Sequence, residues 1–375
     1  MGGGSSLPYD AEIEYLESET GVWLDTGIVP DFSTTVEIKG IFYSGGSYLA
    51  GARTGSTNAS AYYVLMNRDT TYCRWILGSN TGSLLSGLYN KEITILFNEY
   101  QTHKTYIDGV EKQTFPSGNV VDTQTTLALF AANGLGTNHY TGKVRINYCK
   151  IQVDGVLVRD FIPVRKGTTG YMYDKVSGKL FGNNGTGEFT LGNDIIDIEY
   201  LEKPSNSNAR IDLGTNADAV FEITAQATTT LSASMILIGR NTSDGGGTWF
   251  GVPPNVNGCW GLTSNSGGYS NVSSLNKTDI TVDFTTNPIV GTIGGNTFTR
   301  AKGSGNSNWF LFSASNNGYP FIGRVYALKA YIGGKLALDL IPCRIGTTGY
   351  LRDRISGTFF GNAGTNAFVL GSDKT

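Results

Sequence analysis

Three carboxylates near the start of the chain have the type and spacing that glycoside hydrolysis uses. Glu12, Glu14 and Glu17 lie close together, and retaining glycosidases need two carboxyl groups about 5–5.5 Å apart. In a strand, Glu12 and Glu14 share one face and Glu17 points to the other unless a bulge intervenes. The same spacing recurs in Asp197, Glu199 and Glu202. Charges that protect an exposed edge strand explain both sets better than catalysis does, so we expect no enzyme activity.

Histidine and cysteine complete no other catalytic or metal-binding set. The two histidines, His103 and His139, have no counterpart in the second half of the chain, which argues against a nucleophilic triad. No His/Cys group has zinc spacing. The polar loop Asn241–Asp244 offers oxygen ligands for calcium, but its spacing does not match a calcium-binding loop, and a solvated loop is favoured. We predict no cofactor and no metal.

Aromatic and arginine side chains offer a second kind of chemistry, the binding of sugars. Flat indole faces suit the C–H faces of pyranoses, while Asn and Arg satisfy hydroxyl groups. Trp249 is predicted to lie in a polar loop that differs between the two halves, which makes it the preferred ligand candidate. Trp75 and Trp260 recur in both halves and are predicted to pack in the cores. The candidate ligand set is Trp249, Arg240, Asn241 and Asp244, with Arg68 and Arg74 in the first half.

These residues are carried by a chain that repeats itself. Residues 160–192 and 339–371 are identical at 20 of 33 positions without a gap, and Ile13-Glu-Tyr-Leu-Glu17 recurs as Ile198-Glu-Tyr-Leu-Glu202. A period this long exceeds that of solenoid or propeller repeats, and each copy is large enough for its own core. We predict an N-terminal Gly/Ser-rich arm at 1–10, a first domain at 11–194 and a second at 195–375.

The composition predicts strands rather than helices. Only 16% of the residues are charged and 51 are glycine. Alternating apolar and polar residues recur, as in 35–42 and 219–224, and no segment keeps a helical period over three turns. Dipeptides such as Asp108-Gly109 and Asp154-Gly155 are typical of hairpin turns. The sequence therefore predicts an all-β fold built as sandwiches or jelly rolls.

The repeated block is predicted to be structural. Asp174 and Asp353 each begin a turn that ends in Ser-Gly, where Asp bonds the backbone and Gly accepts a positive φ. We expect Arg165 to form a scaffold ion pair with Asp160 or Asp174. Arg344 is expected to form the equivalent pair with Asp339 or Asp353. The alternative is that the arginines bind an anion or a sugar hydroxyl.

Charge and cysteine usage bound the partners and the compartment. The net charge is −3 without a Lys/Arg run, so we expect no nucleic-acid partner, and no apolar stretch is long enough to span a membrane. No apolar signal segment is visible at the N-terminus. The four cysteines do not match between the copies, which favours free buried thiols and assembly in a reducing compartment.

Several motifs resemble one family. Leu24-Asp-Thr-Gly-Ile28, Thr105-Tyr-Ile-Asp-Gly109, Arg159-Asp-Phe-Ile-Pro-Val-Arg165 and Tyr173-Asp-Lys-Val-Ser-Gly-Lys-Leu-Phe-Gly-Asn183 are similar to laminin-G-like domains. These domains belong with the concanavalin A-like lectin/glucanase jelly rolls of gut bacterial and phage proteins. The resemblance implies two tandem jelly-roll sandwiches of roughly a dozen strands each, often glycan-binding on a concave face or loop rim, and no catalytic residues.

The expected function follows from this resemblance and from the missing signal segment. We expect a non-enzymatic virion protein of a phage: a head fibre, capsid decoration or tail appendage that binds other virion proteins through its arm, with glycan binding as a further role. Such a protein is assembled in the host cytoplasm and is a homo-oligomer or part of a larger assembly. The alternatives are a glycan-binding lectin-like protein of the bacterial surface or exterior and, third, a glycoside hydrolase.

Overall fold

The computed structural model describes residues 7–374 apart from 55–61, 83, 118–119, 136–137, 229–234, 242–246, 253–259, 264–268, 271–274, 301, 303–305 and 314–320. All regular elements in this part of the chain are β-strands. The chain divides into two compact units, Met1–Asp194 and Ile195–Thr375. Each unit is described by itself and is called a copy.

The described strands of the first copy are mostly short. They are β1 (Ala11–Glu12), β2 (Leu16–Ser18), β3 (Leu24–Asp25), β4 (Thr34–Phe42), β5 (Ser47–Arg53), β6 (Tyr62–Asn67), β7 (Tyr72–Leu77), β8 (Asn80–Thr81), β9 (Leu85–Ser86), β10 (Ile93–Phe97), β11 (Lys104–Ile107), β12 (Val110–Thr114), β13 (Ala128–Leu129), β14 (Ala131–Gly134), β15 (Asn138–Thr141), β16 (Val144–Val153), β17 (Val156–Lys166), β18 (Thr169–Asp174), β19 (Lys179–Phe181) and β20 (Thr190–Leu191).

The second copy repeats this series. Its described strands are β21 (Ile195–Asp197), β22 (Leu201–Lys203), β23 (Ile211–Asp212), β24 (Val220–Ala227), β25 (Met235–Asn241), β26 (Gly247–Val252), β27 (Trp260–Thr263), β28 (Tyr269–Ser270), β29 (Thr278–Asp283), β30 (Ile289–Ile293), β31 (Asn296–Arg300), β32 (Phe310–Leu311), β33 (Gly323–Ile332), β34 (Lys335–Ile345), β35 (Thr348–Asp353), β36 (Phe359–Phe360) and β37 (Val369–Leu370).

Each copy pairs these strands into two sheets. The large sheet has the order β12-β11-β10-β4-β16-β17-β18-β19 in the first copy and β31-β30-β29-β24-β33-β34-β35-β36 in the second. The small sheet has the order β15-β14-β5-β6-β7-β8 and β23-β32-β25-β26-β27-β28, respectively. Side chains from the two sheets meet in one apolar core per copy. The predicted all-β class, with two tandem jelly-roll sandwiches, is confirmed.

Hairpin turns lie where the sequence places them. Asp108-Gly109 and Asp154-Gly155 have positive φ at both residues, as the two-residue turns between β11 and β12 and between β16 and β17 require. Gly333-Gly334 does the same between β33 and β34. These turns fix the register of the longest strands, because a two-residue loop leaves one alignment of the flanking ladders.

The repeated block is anchored by one buried aspartate in each copy. Asp174 accepts hydrogen bonds from the amides of Asp160 (2.8 Å), Val176 (3.1 Å) and Ser177 (3.2 Å) and from the Ser177 hydroxyl (2.6 Å). Asp353 makes the same four bonds in the second copy. Both side chains are shielded from solvent. The predicted turn role of these aspartates is confirmed.

The predicted partners of Arg165 and Arg344 were wrong. Arg165 forms a bidentate pair with Asp194 (2.6 and 2.5 Å), and Arg344 pairs with Asp373 in the same way (2.7 and 2.6 Å). Asp160 pairs instead with Lys175 at 3.0 Å. Because of these hydrogen bonds, the pKa of the Asp194 carboxyl lies below its ordinary value. Each arginine thus fastens the last strand-like segment of its copy to the large sheet.

The opening carboxylates lie on different kinds of strand. Glu12 lies on β1, whose described strand partner is β17 alone. Glu17 does not lie on an edge strand, which corrects the prediction, because β2 is flanked by β16 on one side and β20 on the other. Glu17 sits opposite Arg145 and pairs with it at 2.9 Å and with Lys143 at 3.2 Å. Glu14 accepts a hydrogen bond from the Asn193 amide group. These carboxylates join strands of the scaffold.

Trp75 and Trp260 were predicted to take equivalent core positions, but the structure places them at different positions of the corresponding strands. Trp75 is fully buried, as expected, and lies opposite Leu65. In the second copy, Phe250 takes the place of Leu65 and lies opposite Leu262. Trp260 therefore lies two residues away from the position equivalent to Trp75, and its side chain falls outside the described part.

Part of the predicted arm at 1–10 contacts the first copy. Residues 1–6 lie outside the described part, whereas Tyr9 and Asp10 already belong to the first copy. Asp10 hydrogen-bonds through its amide to the carbonyl of Arg165 (2.9 Å) and through its carboxylate to the amide of Gly167 (2.7 Å). The Tyr9 ring packs edge-on against Tyr173.

We predict that Asp174→Ala and Asp353→Ala each destabilise their own copy by about 2–3 kcal/mol, because the substitution removes a buried carboxylate and leaves three partly buried amides without their acceptor. Urea unfolding measures the loss. Arg165→Ala and Arg344→Ala are the controls and should each lower stability much less than the aspartate variants do, since their ion pairs are partly exposed. Loss of ligand binding at unchanged melting temperature in either arginine variant would contradict the scaffold role.

Candidate functional site

Arg240, a candidate sugar ligand, lies in the second core. Its guanidinium pairs with Asp218 (2.5 Å), donates to the carbonyl of Asn216 (2.5 Å) and lies 4.6 Å from the ring centre of Trp309. The side chain is only 6% exposed. Arg240 therefore holds the segment before β24 against the core and is not available to a ligand, which corrects the prediction.

Trp249 lies within β26 rather than in a loop, which also corrects the sequence analysis. It is half-buried and lies opposite Gly239, whose missing side chain leaves room for the indole. Asn241 ends β25 opposite Gly247, and nothing is described of its side chain. Asp244 lies outside the described residues, as does most of the polar loop proposed for calcium.

Arg68 and Arg74 occupy different parts of the small sheet in the first copy. Arg68 is exposed in the turn between β6 and β7 and pairs with the neighbouring Asp69 at 3.2 Å. Arg74 is half-buried on β7 opposite Met66, and its Nε atom is shielded from solvent without a hydrogen-bond partner. Only Arg74 lies on the surface described next.

A second apolar cluster covers the outward face of the small sheet in the first copy. Tyr48, Val64 and Ala132 are buried there, apart from the main core, and Met66 and Ile76 pack against them. The inward residues of the same strands belong to the main core. This sheet therefore buries apolar side chains on both faces.

A β-bulge places the polar side chains of this face. The register of β5 against β6 shifts between Tyr48 and Ala50, so that Leu49 and Ala50 are both in the core. Alternation then resumes with Gly51 and Arg53 on the outward face. Since Gly51 has no side chain, Tyr48 and Arg53 meet above it.

Three tyrosines surround Arg53. Its guanidinium carbon lies 4.4 Å from the ring centre of Tyr140 and 5.2 Å from that of Tyr62. Arg53 also hydrogen-bonds to Tyr48, which opposes the rise that burial causes in the Tyr48 pKa. Tyr140 is 41% exposed, so the ring is open to solvent. We call Tyr48, Arg53, Tyr62, Tyr140 and Arg74 the tyrosine–arginine face.

The sequence analysis missed most of this face. Tyr48 and Arg53 are an odd number of residues apart, which in a regular strand places them on opposite faces. Tyr140 comes from β15, far along the chain. The density of tyrosine was visible in the sequence, but the bulge that assembles the tyrosines was not.

The second copy keeps the glycine at the centre of this face, but the side chains around it differ. Gly239 and Trp249 form the pair that Gly51 and Val64 form in the first copy. Asn241 takes the strand position of Arg53, and Gly261 takes that of Arg74. The second face thus carries a tryptophan and neither arginine.

The described thiols are not activated nucleophiles. Cys73, Cys149 and Cys343 are free and buried, as predicted, and Cys259 lies outside the described part. Burial raises the pKa of Cys73 and of Cys343 to about 12. Burial also lowers the pKa of Lys203 to about 8, with Arg210 nearby adding to the effect.

No group of three or more His, Cys, Asp and Glu side chains in the described part of the chain is arranged to hold a metal ion. None of the described residues forms a helix long and apolar enough to cross a membrane.

Comparisons with known proteins return similar folds. No protein-family model and no curated protein matches the chain. Among solved structures it is similar to domains LG4-5 of the mouse laminin alpha1 chain, with a TM-score of 0.30 and 13% identity over 89% of this chain and 93% of that chain. It is also similar to NanB with Optactamide, with a TM-score of 0.25 and 11% identity over 94% of this chain and 75% of that chain.

We predict that Arg240→Ala destabilises the second copy by about 2–4 kcal/mol, because it leaves the Asn216 carbonyl without its donor and opens space beside Trp309. Urea unfolding followed by tryptophan fluorescence measures the effect. Arg68→Ala, which removes an exposed arginine, is the matched control and should change stability by about 0.5 kcal/mol or less. Equal stability of the two variants would contradict the core role of Arg240.

Proposed function

We propose that the chain is a non-catalytic structural and adhesion protein of a phage virion, a head fibre, capsid decoration or tail appendage, that binds carbohydrate on its tyrosine–arginine face. The observation that carries the carbohydrate role is the arrangement of Tyr62 and Tyr140 around Arg53 on an outward sheet face. Aromatic rings offer apolar faces to pyranose C–H groups, and a guanidinium offers several donors to hydroxyl oxygens.

The pre-organised geometry supports binding. Arg53 is held by the Tyr48 hydroxyl and by two ring faces, so little side-chain freedom remains to be lost when a ligand is bound. Tyr140 is exposed on the edge strand β15, while Val64 and Ala132 are buried beneath. A sugar ring would thus meet a rigid, partly apolar floor with a few fixed donors, which is the usual composition of a small-ligand site.

The chemistry of the remaining candidates supports a non-catalytic role. The carboxylate of Glu17 is neutralised by Arg145 and Lys143, and that of Glu202 in the second copy is neutralised by Arg324.

The virion assignment rests on the state of the cysteines and on the duplication. The three described cysteines are free thiols, which supports assembly in a reducing compartment such as the host cytoplasm. Two copies of one jelly roll in a single chain suit a repetitive surface assembly, with residues 1–6 proposed to bind another virion protein.

We expect the full chain to bind a subset of glycans on an array, and the best one to bind about tenfold more weakly to Tyr62→Ala/Tyr140→Ala, because each stacked ring contributes roughly 0.5–1.5 kcal/mol. Isothermal titration calorimetry measures the change. Tyr100→Ala removes an equally exposed tyrosine from a loop of the large sheet and is the control. Unchanged binding in the double variant would contradict the assignment of this face.

We expect mass spectrometry of purified particles to find the intact chain at a fixed stoichiometry to the capsid protein. Recovery instead as a processed precursor on bacterial envelopes would overturn the virion assignment and favour a bacterial surface lectin. The carbohydrate role is tested separately by the array.

A further inference from the structure

None of the described Asp and Glu side chains forms a salt bridge with Arg53. Salt bridges occupy most of the other arginines of the first copy, including Arg68, Arg145 and Arg165. Among the residues that the structure describes, no Asp or Glu lies on the outward positions of β5, β6 and β7. The described contacts of the Arg53 guanidinium are with the ring faces and the hydroxyl group of tyrosines, and its five N–H groups can donate to a further acceptor.

Arg74 repeats this feature on the same face. It lies on β7 in the row that joins Tyr48 and Met66, and no carboxylate of the described residues pairs with it. Its Nε atom is shielded from water and has no acceptor. Arg74 therefore adds a second positive charge to this face that no described carboxylate neutralises.

The second copy provides an internal comparison. The strand positions of Arg53 and Arg74 hold Asn241 and Gly261 there, while the glycine of the floor is kept as Gly239. The arginines are therefore not required by the scaffold. They distinguish the chemistry of one copy from that of the other.

We propose that the tyrosine–arginine face of the first copy is specific for acidic saccharides, with the carboxylate or sulfate of one sugar held by Arg53 and its ring held by Tyr62 and Tyr140. This rests on the carbohydrate role proposed above. An anion forms short, charge-assisted hydrogen bonds with a guanidinium, which a neutral hydroxyl cannot match. The second copy, with Trp249 and neither arginine, selects no anion.

The test compares matched charged and neutral polymers on the full chain. Polygalacturonate is paired with its carboxyl-reduced form, and dextran sulfate with dextran, so that the two pairs distinguish carboxylate from sulfate. We expect one acidic polymer to bind at least tenfold more tightly than its neutral partner, with affinity falling as salt is added. Arg53→Gln should weaken that binding about 10- to 100-fold, as loss of a charged hydrogen-bond donor does.

Controls separate the proposal from folding and from the parent proposal. Arg68→Gln removes an arginine of the same sheet that already has Asp69 as its partner, and it should bind within about twofold of the wild type. Arg74→Gln provides a second variant if Arg53→Gln lowers the melting temperature. Equal binding of acidic and neutral polymers would overturn the acidic specificity and leave the carbohydrate role standing. Equal losses in Arg53→Gln and Arg68→Gln would also overturn it. A wild type that binds no glycan at all would overturn both.

Discussion

One hydrogen bond in each copy fixes the geometry on which both faces of the small sheet depend. The amide of Phe130 donates to the carbonyl of Leu49 at 2.9 Å, and the amide of Phe312 donates to that of Leu237 at 2.7 Å. Leu49 and Leu237 are the extra residues of the two bulges. Because the carbonyl of each leucine accepts this hydrogen bond, the leucine stays in the core. The outward positions that follow it, Gly51 and Arg53 in the first copy, therefore come one residue later than strict alternation predicts. The tyrosine–arginine face exists because of this shift.

A residue in a strained backbone conformation pairs with the bulge in both copies. Phe130 and Phe312 have φ values of 63° and 69°, a left-handed conformation that costs a non-glycine residue about 1–3 kcal/mol. Both rings are fully buried. Phe130 packs on Phe189 (4.7 Å between ring centres) and Phe312 packs on Phe368 (5.2 Å). Phe189 and Phe368 both belong to the repeated block. The similar C-terminal segments of the two copies therefore stabilise the bulges, which lie in the middle segments where the copies differ.

The sequence predicted what depends on alternation and on turn chemistry, and missed what depends on register. Strand class, the Asp-Gly turns, the buried thiols and the Asp174 anchor follow from local patterns. A slip of two residues preserves every inward and outward side chain, so Trp75 and Trp260 look equivalent although they are not. A bulge has the opposite effect. One extra residue in the strand moves the side chains that follow it to the other face of the sheet, although the alternating sequence pattern shifts by only one residue. The Arg165 partner was missed since Asp194 follows 29 residues later and reaches it only through the pairing of the opening strand with β17.

The two copies show which part of this surface the scaffold fixes and which part it leaves free to vary. A Cβ atom at Gly51 would lie 2.7 Å from that of Ala132, and one at Gly239 would lie 2.8 Å from that of Trp249. Both contacts are closer than side-chain atoms allow, so glycine is required at this position in both copies although its neighbours differ. The scaffold therefore fixes a glycine at this position and a row of outward-facing positions beside it. The residues at these positions differ between the copies, since Arg53 and Val64 in the first correspond to Asn241 and Trp249 in the second. Duplication of such a unit yields two surfaces whose charge is set by a few residues, and selectivity between ligands then requires no change of fold.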